Sequence, residues 1–158
     1  MRNRYAALTL AALACAALAF SVTSPAQRGG SSQTLFTALS GANELDADGD
    51  RGAGDRNGRG AFSAIFDGRE LCYGIQVKNL ATPSAAHIHR GRSNQNGPVV
   101  VPLTPPEEGD PGASAACTEL SSRLARAIRR NPGRYYVNVH NADFPDGAVR
   151  GQLTHRTR

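Results

Sequence analysis

The pattern that most constrains this chain is an unbroken alternation of apolar and other side chains over residues 71–78. The apolar positions recur at every second residue, at Leu71, Tyr73, Ile75 and Val77. Side chains with this period lie on one face of a β-strand, so Cys72 falls on the opposite face. A strand with one apolar face needs a second layer to cover it, which favours an antiparallel sheet with one buried side.

Shorter runs repeat this alternation along most of the remaining chain. They lie near residues 35–39, 62–66, 85–90, 99–103, 135–140 and 149–153. Gly97-Pro98 and Pro145-Asp146-Gly147 separate neighbouring runs, as turn residues do, because Pro fixes φ and Gly accepts a positive φ. Together with residues 71–78 these runs predict seven strands. The sequence therefore predicts an antiparallel β-sandwich or barrel.

Residues 119–130 have helical spacing instead of a two-residue period. The apolar side of this segment consists of Leu120, Leu124, Ala127 and Ile128. We predict a short helix here, with Thr118 as its N-cap and Pro132-Gly133 as its stop. We interpret the other side as a solvated arginine surface, because no aromatic residues alternate with the arginines as in a nucleic-acid site. The same interpretation applies to Arg150, Arg156 and Arg158.

The first 26 residues have the features of a secretory signal peptide. Two arginines precede an apolar run over residues 6–20, and Ser24-Pro25-Ala26 offers small residues for cleavage. The alternatives are an uncleaved anchor helix and a lipoprotein modified at Cys15. We expect export, a flexible lead-in at residues 27–33, and no transmembrane segment once the signal peptide is removed.

Removal of the signal peptide leaves Cys72 and Cys117 in the mature chain. An even number of cysteines in an exported protein indicates a disulfide, here closing a loop of about 45 residues. A catalytic thiol is the alternative. We expect the bridge to join the connection that leads into the helix to one sheet.

Signature motifs of several common enzyme classes do not occur in this sequence. There is no GxSxG, HExxH or CxxC, and the single lysine, Lys78, lies outside any glycine-rich GK[ST] context. This excludes a P-loop nucleotide enzyme. We also find no nucleophile paired with a base, so we expect no enzymatic activity.

Three of the four histidines lie in predicted strands. His87 and His89 share one face of their strand, and His140 lies on another strand among polar neighbours. Three imidazoles that converge can bind zinc or copper, with Asp143 as a fourth ligand or as an acceptor for a ring N–H. A hydrogen-bonded structural cluster without metal is the alternative.

The acidic segment at residues 46–58 has a spacing similar to that of a calcium loop. Asp46, Asp48 and Asp50 occupy alternate positions, as the first ligands of such a loop do. Arg51 stands at the sixth position and Asn57 at the twelfth, where the motif needs Gly and Glu. We therefore interpret this segment as a solvated connection between strands.

Six short motifs occur in a fixed order along the chain. They are LSGANE at 39–44, LCY at 71–73, AHIHRG at 86–91, NGPVVV at 96–101, YYVNVH at 135–140 and FPDGAVRGQL at 144–153. Together they resemble the CHRD domain, a repeat first recognised in chordin. The paired cysteines and the helix are similar to the single-domain exported bacterial branch of that family. The resemblance covers residues 34–153, with residues 154–158 as a tail.

The resemblance implies an all-β, immunoglobulin-like antiparallel β-sandwich with a suggested likeness to copper/zinc superoxide dismutases, here with one short helix near 119–130. It implies no established activity, and a dismutase needs more histidines than this chain has. We expect a secreted or cell-envelope module that binds a protein, glycan or metal ligand, or has a structural role, and does not bind nucleic acid. The alternative is a copper- or zinc-binding protein that uses His87, His89 and His140.

Overall fold

The computed structural model describes residues 34–156, so the predicted signal peptide and Cys15 lie outside the described residues. Within this range the chain forms nine strands and one α-helix, α1 (Ser122–Arg130), which follows the sixth strand. The predicted all-β fold with one short helix is confirmed. The strands are β1 (Leu35–Ser40), β2 (Arg59–Asp67), β3 (Glu70–Lys78), β4 (Pro83–Arg90), β5 (Val99–Leu103), β6 (Gly112–Glu119), β7 (Tyr135–Asn141), β8 (Val149–Gln152) and β9 (Thr154–His155).

The strands form one antiparallel sheet that divides into two layers. Their order is β5-β4-β7-β8-β1-β2-β3-β6, and β9 also pairs with β1. β2 and β3 pair along their whole length, whereas β8 and β1 share the single register pair of Arg150 with Ser40. The β5-β4-β7-β8 layer can therefore fold over the β1-β2-β3-β6 layer, which gives the predicted sandwich.

Alternate residues of both layers form the hydrophobic core. The apolar positions of β3 are all buried, as their period predicts. The opposite layer contributes alternate residues of β4 and β7, among them Ile88, Val137 and Val139. All seven residues of β7 are buried, so its second face is covered as well. That second face carries polar side chains, including Asn138 and His140.

Two strands in the described range were not predicted. β6 consists largely of Gly, Ala and Ser, and it pairs along its length with β3. Small side chains give no hydrophobic alternation, so the sequence pattern does not reveal this strand. β9 pairs Thr154 and His155 with β1, so part of the predicted tail belongs to the sheet.

Helix α1 begins three residues later than predicted. Ser121 is its N-cap, with a side chain that accepts a hydrogen bond from the Leu124 N–H at 3.2 Å. Thr118 was the wrong choice, because β6 continues through Glu119 and includes Thr118. No helix within residues 34–156 is long and apolar enough to cross a membrane.

Cys72 of β3 and Cys117 of β6 form the predicted disulfide. The two residues lie directly opposite each other in the ladder between these strands. The bridge therefore joins neighbouring strands of one layer, and the expected link to a helix-bearing connection is wrong because Cys117 lies inside a strand. A disulfide is typical of an oxidising compartment.

Replacing both cysteines by alanine (Cys72→Ala with Cys117→Ala) removes a crosslink between residues 45 positions apart. We expect the free energy of unfolding to fall by about 4 kcal/mol, because the unfolded chain then gains loop entropy. Urea denaturation followed by circular dichroism measures the change. Dithiothreitol should destabilise the wild type and leave the variant unchanged. Equal stability of the variant and the oxidised wild type would contradict the prediction.

Candidate metal centre

Two neighbouring strands carry the three predicted histidines. β4 and β7 pair antiparallel, with Ala85 opposite His140 and His87 opposite Asn138. Because alternate residues of a strand share a face, His87, His89 and His140 all lie on the side of this layer away from the core. The register of the ladder therefore brings the three imidazoles together.

The three imidazole rings are in mutual contact. The centroids of the His87 and His140 rings are 5.1 Å apart, those of His87 and His89 are 5.6 Å apart, and those of His89 and His140 are 6.1 Å apart. One ring nitrogen of each residue lies within 4.8 Å of the others. The closest pair is His87 Nδ1 and His140 Nε2, at 3.2 Å. The predicted convergence of these residues is thus present in the structure.

Backbone carbonyls orient two of the rings. His89 Nδ1 is 2.9 Å from the Gly97 carbonyl oxygen, and His140 Nδ1 is 3.0 Å from the Pro145 carbonyl oxygen. A carbonyl only accepts, so each Nδ1 carries the proton and each Nε2 keeps its lone pair. Metal-binding histidines are commonly oriented through the other ring nitrogen in this way. His89 Nε2 is buried and has no hydrogen-bond partner within the described part of the chain.

Burial favours the neutral form of all three imidazoles. Desolvation is the main cause that lowers the pKa of His87, His89 and His140 below the usual value of 6.5. The repulsion of a charged His140 lowers the pKa of His87 further. The carbonyl hydrogen bonds of His89 and His140 oppose the shift without reversing it. Neutral imidazoles are the form that binds metal.

The acidic residues considered from the sequence do not join the cluster. Asp143 is exposed and is not in the group of converging ligand atoms, and the Pro145 carbonyl takes the place expected for it as the acceptor for His140. Asp46 instead uses Oδ1 to accept the backbone N–H groups of Asp48 and Asp50, at 3.0 and 2.8 Å. This is a turn stabilised by its own side chain, as expected for a solvated connection.

Arg150 and Glu44 form a buried ion pair near the histidines, so the prediction of a solvated Arg150 is wrong. The two residues are 1% and 2% exposed, and Arg150 Nη1 lies 3.8 Å from Glu44 Oε1. The guanidinium also donates to Asn96 Oδ1 at 3.0 Å and to the carbonyl oxygens of Arg92 and Gln95 at 3.0 and 2.6 Å. These hydrogen bonds compensate for the burial of its charge.

Arg150 also begins a stack of side chains that ends at His89, one of the three converging histidines. Its guanidinium carbon lies 3.4 Å from the centroid of the Tyr136 ring. The Tyr136 ring stacks in turn on His89, with centroids 4.8 Å apart and planes 9° apart. Cation–π and stacking contacts of this kind fix ring orientation. Arg150 therefore positions His89 through Tyr136.

A cleft of about 530 Å³ opens beside the histidine cluster, and His89 and Glu44 line it. Burial raises the pKa of Glu44, and the Leu45 N–H, Arg150 and Asn138 oppose that rise in this order. Gly147 also lines the cleft, with φ 152°, and a Cβ at this position would overlap the Glu44 carboxylate. The Pro-Asp-Gly turn thus leaves room for a buried carboxylate.

The sequence contains a signal for the missed pair. Glu44 ends the LSGANE motif and Arg150 lies in the FPDGAVRGQL motif, so both belong to the motifs quoted for the family resemblance. Arg150 also occupies an alternate position of β8 opposite Asn138, which itself faces His87. The strand position of this arginine, in line with the predicted histidines, indicates a site residue. That indication is stronger than the one for solvent exposure, which rests only on nearness to the C-terminus.

These features define an all-β domain with a polar cluster on the outer face of one layer. The sequence model of the CHRD domain family matches residues 35–153. The chain belongs to this family, as the six ordered motifs predicted. No curated protein and no solved structure matches the chain.

Replacing Arg150 by methionine leaves Glu44 buried without a counter-charge. We expect Arg150→Met to lower the free energy of unfolding by about 3–5 kcal/mol. The matched control is Arg123→Met, because Arg123 is exposed on α1. Urea denaturation of both variants measures the difference. A loss in Arg150→Met no larger than in the control would contradict the assignment of a buried ion pair.

The histidine cluster should make the metal-free protein less stable as the pH falls. The three pKa values are lowered in the folded chain and lie near 6.5 in the unfolded chain, so the unfolded chain takes up protons first. The contribution of the three neutral imidazoles to the free energy of unfolding is therefore fully present above about pH 6.5. It is lost as the pH falls through the pKa values that these imidazoles have in the folded chain. Urea denaturation in EDTA at a series of pH values measures this. A variant with all three histidines replaced by alanine should show a flatter profile, and an unchanged profile would refute the explanation.

Proposed function

We propose that this protein is an exported, non-catalytic CHRD domain that binds one copper or zinc ion through His87, His89 and His140. The observation that carries the proposal is the convergence of one ring nitrogen from each residue within 4.8 Å. Imidazole is the ligand that both metals accept most readily in proteins. Three protein ligands leave a coordination position for water or for a donor atom of a partner.

The spacing of the nitrogens fits a shared ion. Ligands about 2.0–2.1 Å from a zinc ion at tetrahedral angles lie about 3.3 Å apart. His87 Nδ1 and His140 Nε2 are 3.2 Å apart. A hydrogen bond between these two rings has a similar length, so this distance alone does not separate the two interpretations.

His89 favours the metal over a purely structural cluster. Its Nδ1 is already bonded to the Gly97 carbonyl, and its Nε2 is buried without a partner. A hydrogen-bonded cluster would satisfy that nitrogen, because an unpaired buried acceptor costs about 1–3 kcal/mol. A metal ion between the three rings would take up this lone pair. The donor set therefore fits a metal better than it fits a closed hydrogen-bond network.

The proposal does not extend to dismutase chemistry. His155 is the remaining histidine, and it lies on β9, which pairs with β1. It does not belong to the converging group. The chain thus offers three imidazoles at one point and no bridging imidazole for a second ion. Export is supported by the predicted signal peptide and by the disulfide.

Bound metal is the direct test of this function. The purified, oxidised protein is dialysed against copper or zinc salts, then against metal-free buffer, and its metal content is measured by elemental analysis. We expect about one ion per chain, as a single closed donor set predicts. Electron paramagnetic resonance of the copper form should show nitrogen ligands.

Two variants make the test specific. The triple variant His87→Ala, His89→Ala and His140→Ala should retain the fold by circular dichroism and lose the metal. His155→Ala removes the histidine outside the group and should retain it. Absence of metal from the folded wild type would refute the proposal, and the module would then bind a protein or glycan or have a structural role.

A further inference from the structure

The cleft beside the histidine cluster is acidic. Glu44, Asp46, Asp143 and Asp146 line it, and its described lining contains no lysine or arginine. Arg150 does not line the cleft but pairs with Glu44, so the three aspartates give the cleft its net negative charge. A concave site with charges of one sign attracts ligands of the opposite sign. The charge of this cleft therefore fits a cationic ligand.

Two buried acceptors of the cleft have no hydrogen-bond partner among residues 34–156. They are Glu44 Oε2 and Asn138 Oδ1, and each residue is 2% exposed. The Asn138 amide lies beside the Glu44 carboxylate and opposes the rise of its pKa. Buried acceptors without partners are costly, so a donor-bearing ligand would stabilise this arrangement.

Part of the cleft wall is apolar. Leu45, Phe144 and Pro145 contribute this part, beside the polar side chains of His89, Asn96 and Tyr136. A volume of about 530 Å³ is within the range of small-ligand sites, in which apolar walls surround a few polar groups. The ligand should therefore combine a cationic head with a hydrocarbon chain.

We propose that this cleft binds a primary ammonium group carried on an aliphatic chain. Glu44 Oε2 and Asn138 Oδ1 accept two of its N–H groups, and Asp143 and Asp146 attract it at the exposed rim. The source is either a free aliphatic amine or the lysine side chain of another protein, since both present the same chemistry.

Two other cations fit less well. A guanidinium binds a carboxylate through both oxygens, but Glu44 Oε1 already accepts the Leu45 N–H at 3.1 Å. Calcium needs six to eight oxygen ligands, and the buried part of the cleft offers two unpartnered ones. An ammonium group has three donors and needs no bidentate partner.

This proposal does not depend on the metal site. It uses no histidine, so it applies to the metal-free protein. The binding test is therefore carried out in EDTA, which keeps the protein free of metal. Its result then does not depend on whether the histidines bind a metal ion.

The probe is n-butylammonium, with n-butanol as the uncharged control of equal chain length. Each is titrated into the purified protein at low ionic strength, and backbone amide shifts are followed by nuclear magnetic resonance. The Gly97 and Gly147 amides report on the cleft, and the Gly74 amide in β3 serves as the reference. We expect saturable shifts of the cleft amides with the amine and none with the alcohol.

Variants at the rim and at the base of the cleft test the assigned contacts. Asp143→Asn with Asp146→Asn should weaken binding about fivefold, as the loss of two exposed charge contacts predicts. The control, Asp67→Asn with Glu107→Gln, removes two exposed charges outside the cleft and should bind as the wild type does. Glu44→Gln should weaken binding about tenfold or more. If Glu44→Gln does not fold, the variant with both Asp143 and Asp146 replaced still tests the proposal, because these two residues are exposed.

The titrations also separate the two sources. Tighter binding of Nα-acetyl-lysine methylamide than of n-butylammonium would support a protein lysine, and the reverse order would support a free amine. Equal shifts with n-butanol, absence of saturation, or equal weakening by the rim and control variants would each overturn the proposal.

Discussion

The buried guanidinium of Arg150 is the constraint on which the rest of the site depends. Removing a positive charge from water costs several kcal/mol unless its donors find partners. Here the partners are the Glu44 carboxylate, the Asn96 side chain and the carbonyls of residues 92 and 95. The segment from 92 to 96 is thereby fixed against β8. Gly97 follows this segment directly, and its carbonyl orients His89.

Two connections, rather than the strands alone, determine the chemical state of the histidines. The strands supply the rings, while carbonyls of the connections after β4 and after β7 select which nitrogen carries the proton. The Tyr136 ring contributes a second restraint, since it lies between Arg150 and His89. The orientation of His89 therefore depends on groups from β7, β8 and one connection. This rigidity is what a metal site needs to bind without reorganisation.

The sequence predicts the strands and the histidine face well, because both follow from the two-residue period. It misses β6, whose small side chains pair with β3 without a hydrophobic pattern. It places the start of α1 too early, because Thr118 and Ser121 are both suitable caps and only the extent of β6 decides between them. It also misplaces Arg150. The polar partners of that side chain lie more than fifty positions away, and two of the four are backbone carbonyls, which any residue type can supply.

The ladder between β4 and β7 has a consequence for how this domain can diverge. His140 lies opposite Ala85, and His87 lies opposite Asn138, so the distances between the rings are set by strand pairing. Substitutions at neighbouring positions leave that pairing intact. An insertion or deletion of one residue within either strand would turn the histidines beyond it towards the core. Relatives that keep this site are therefore expected to vary in side chains and in the lengths of their loops, but not in the lengths of these two strands.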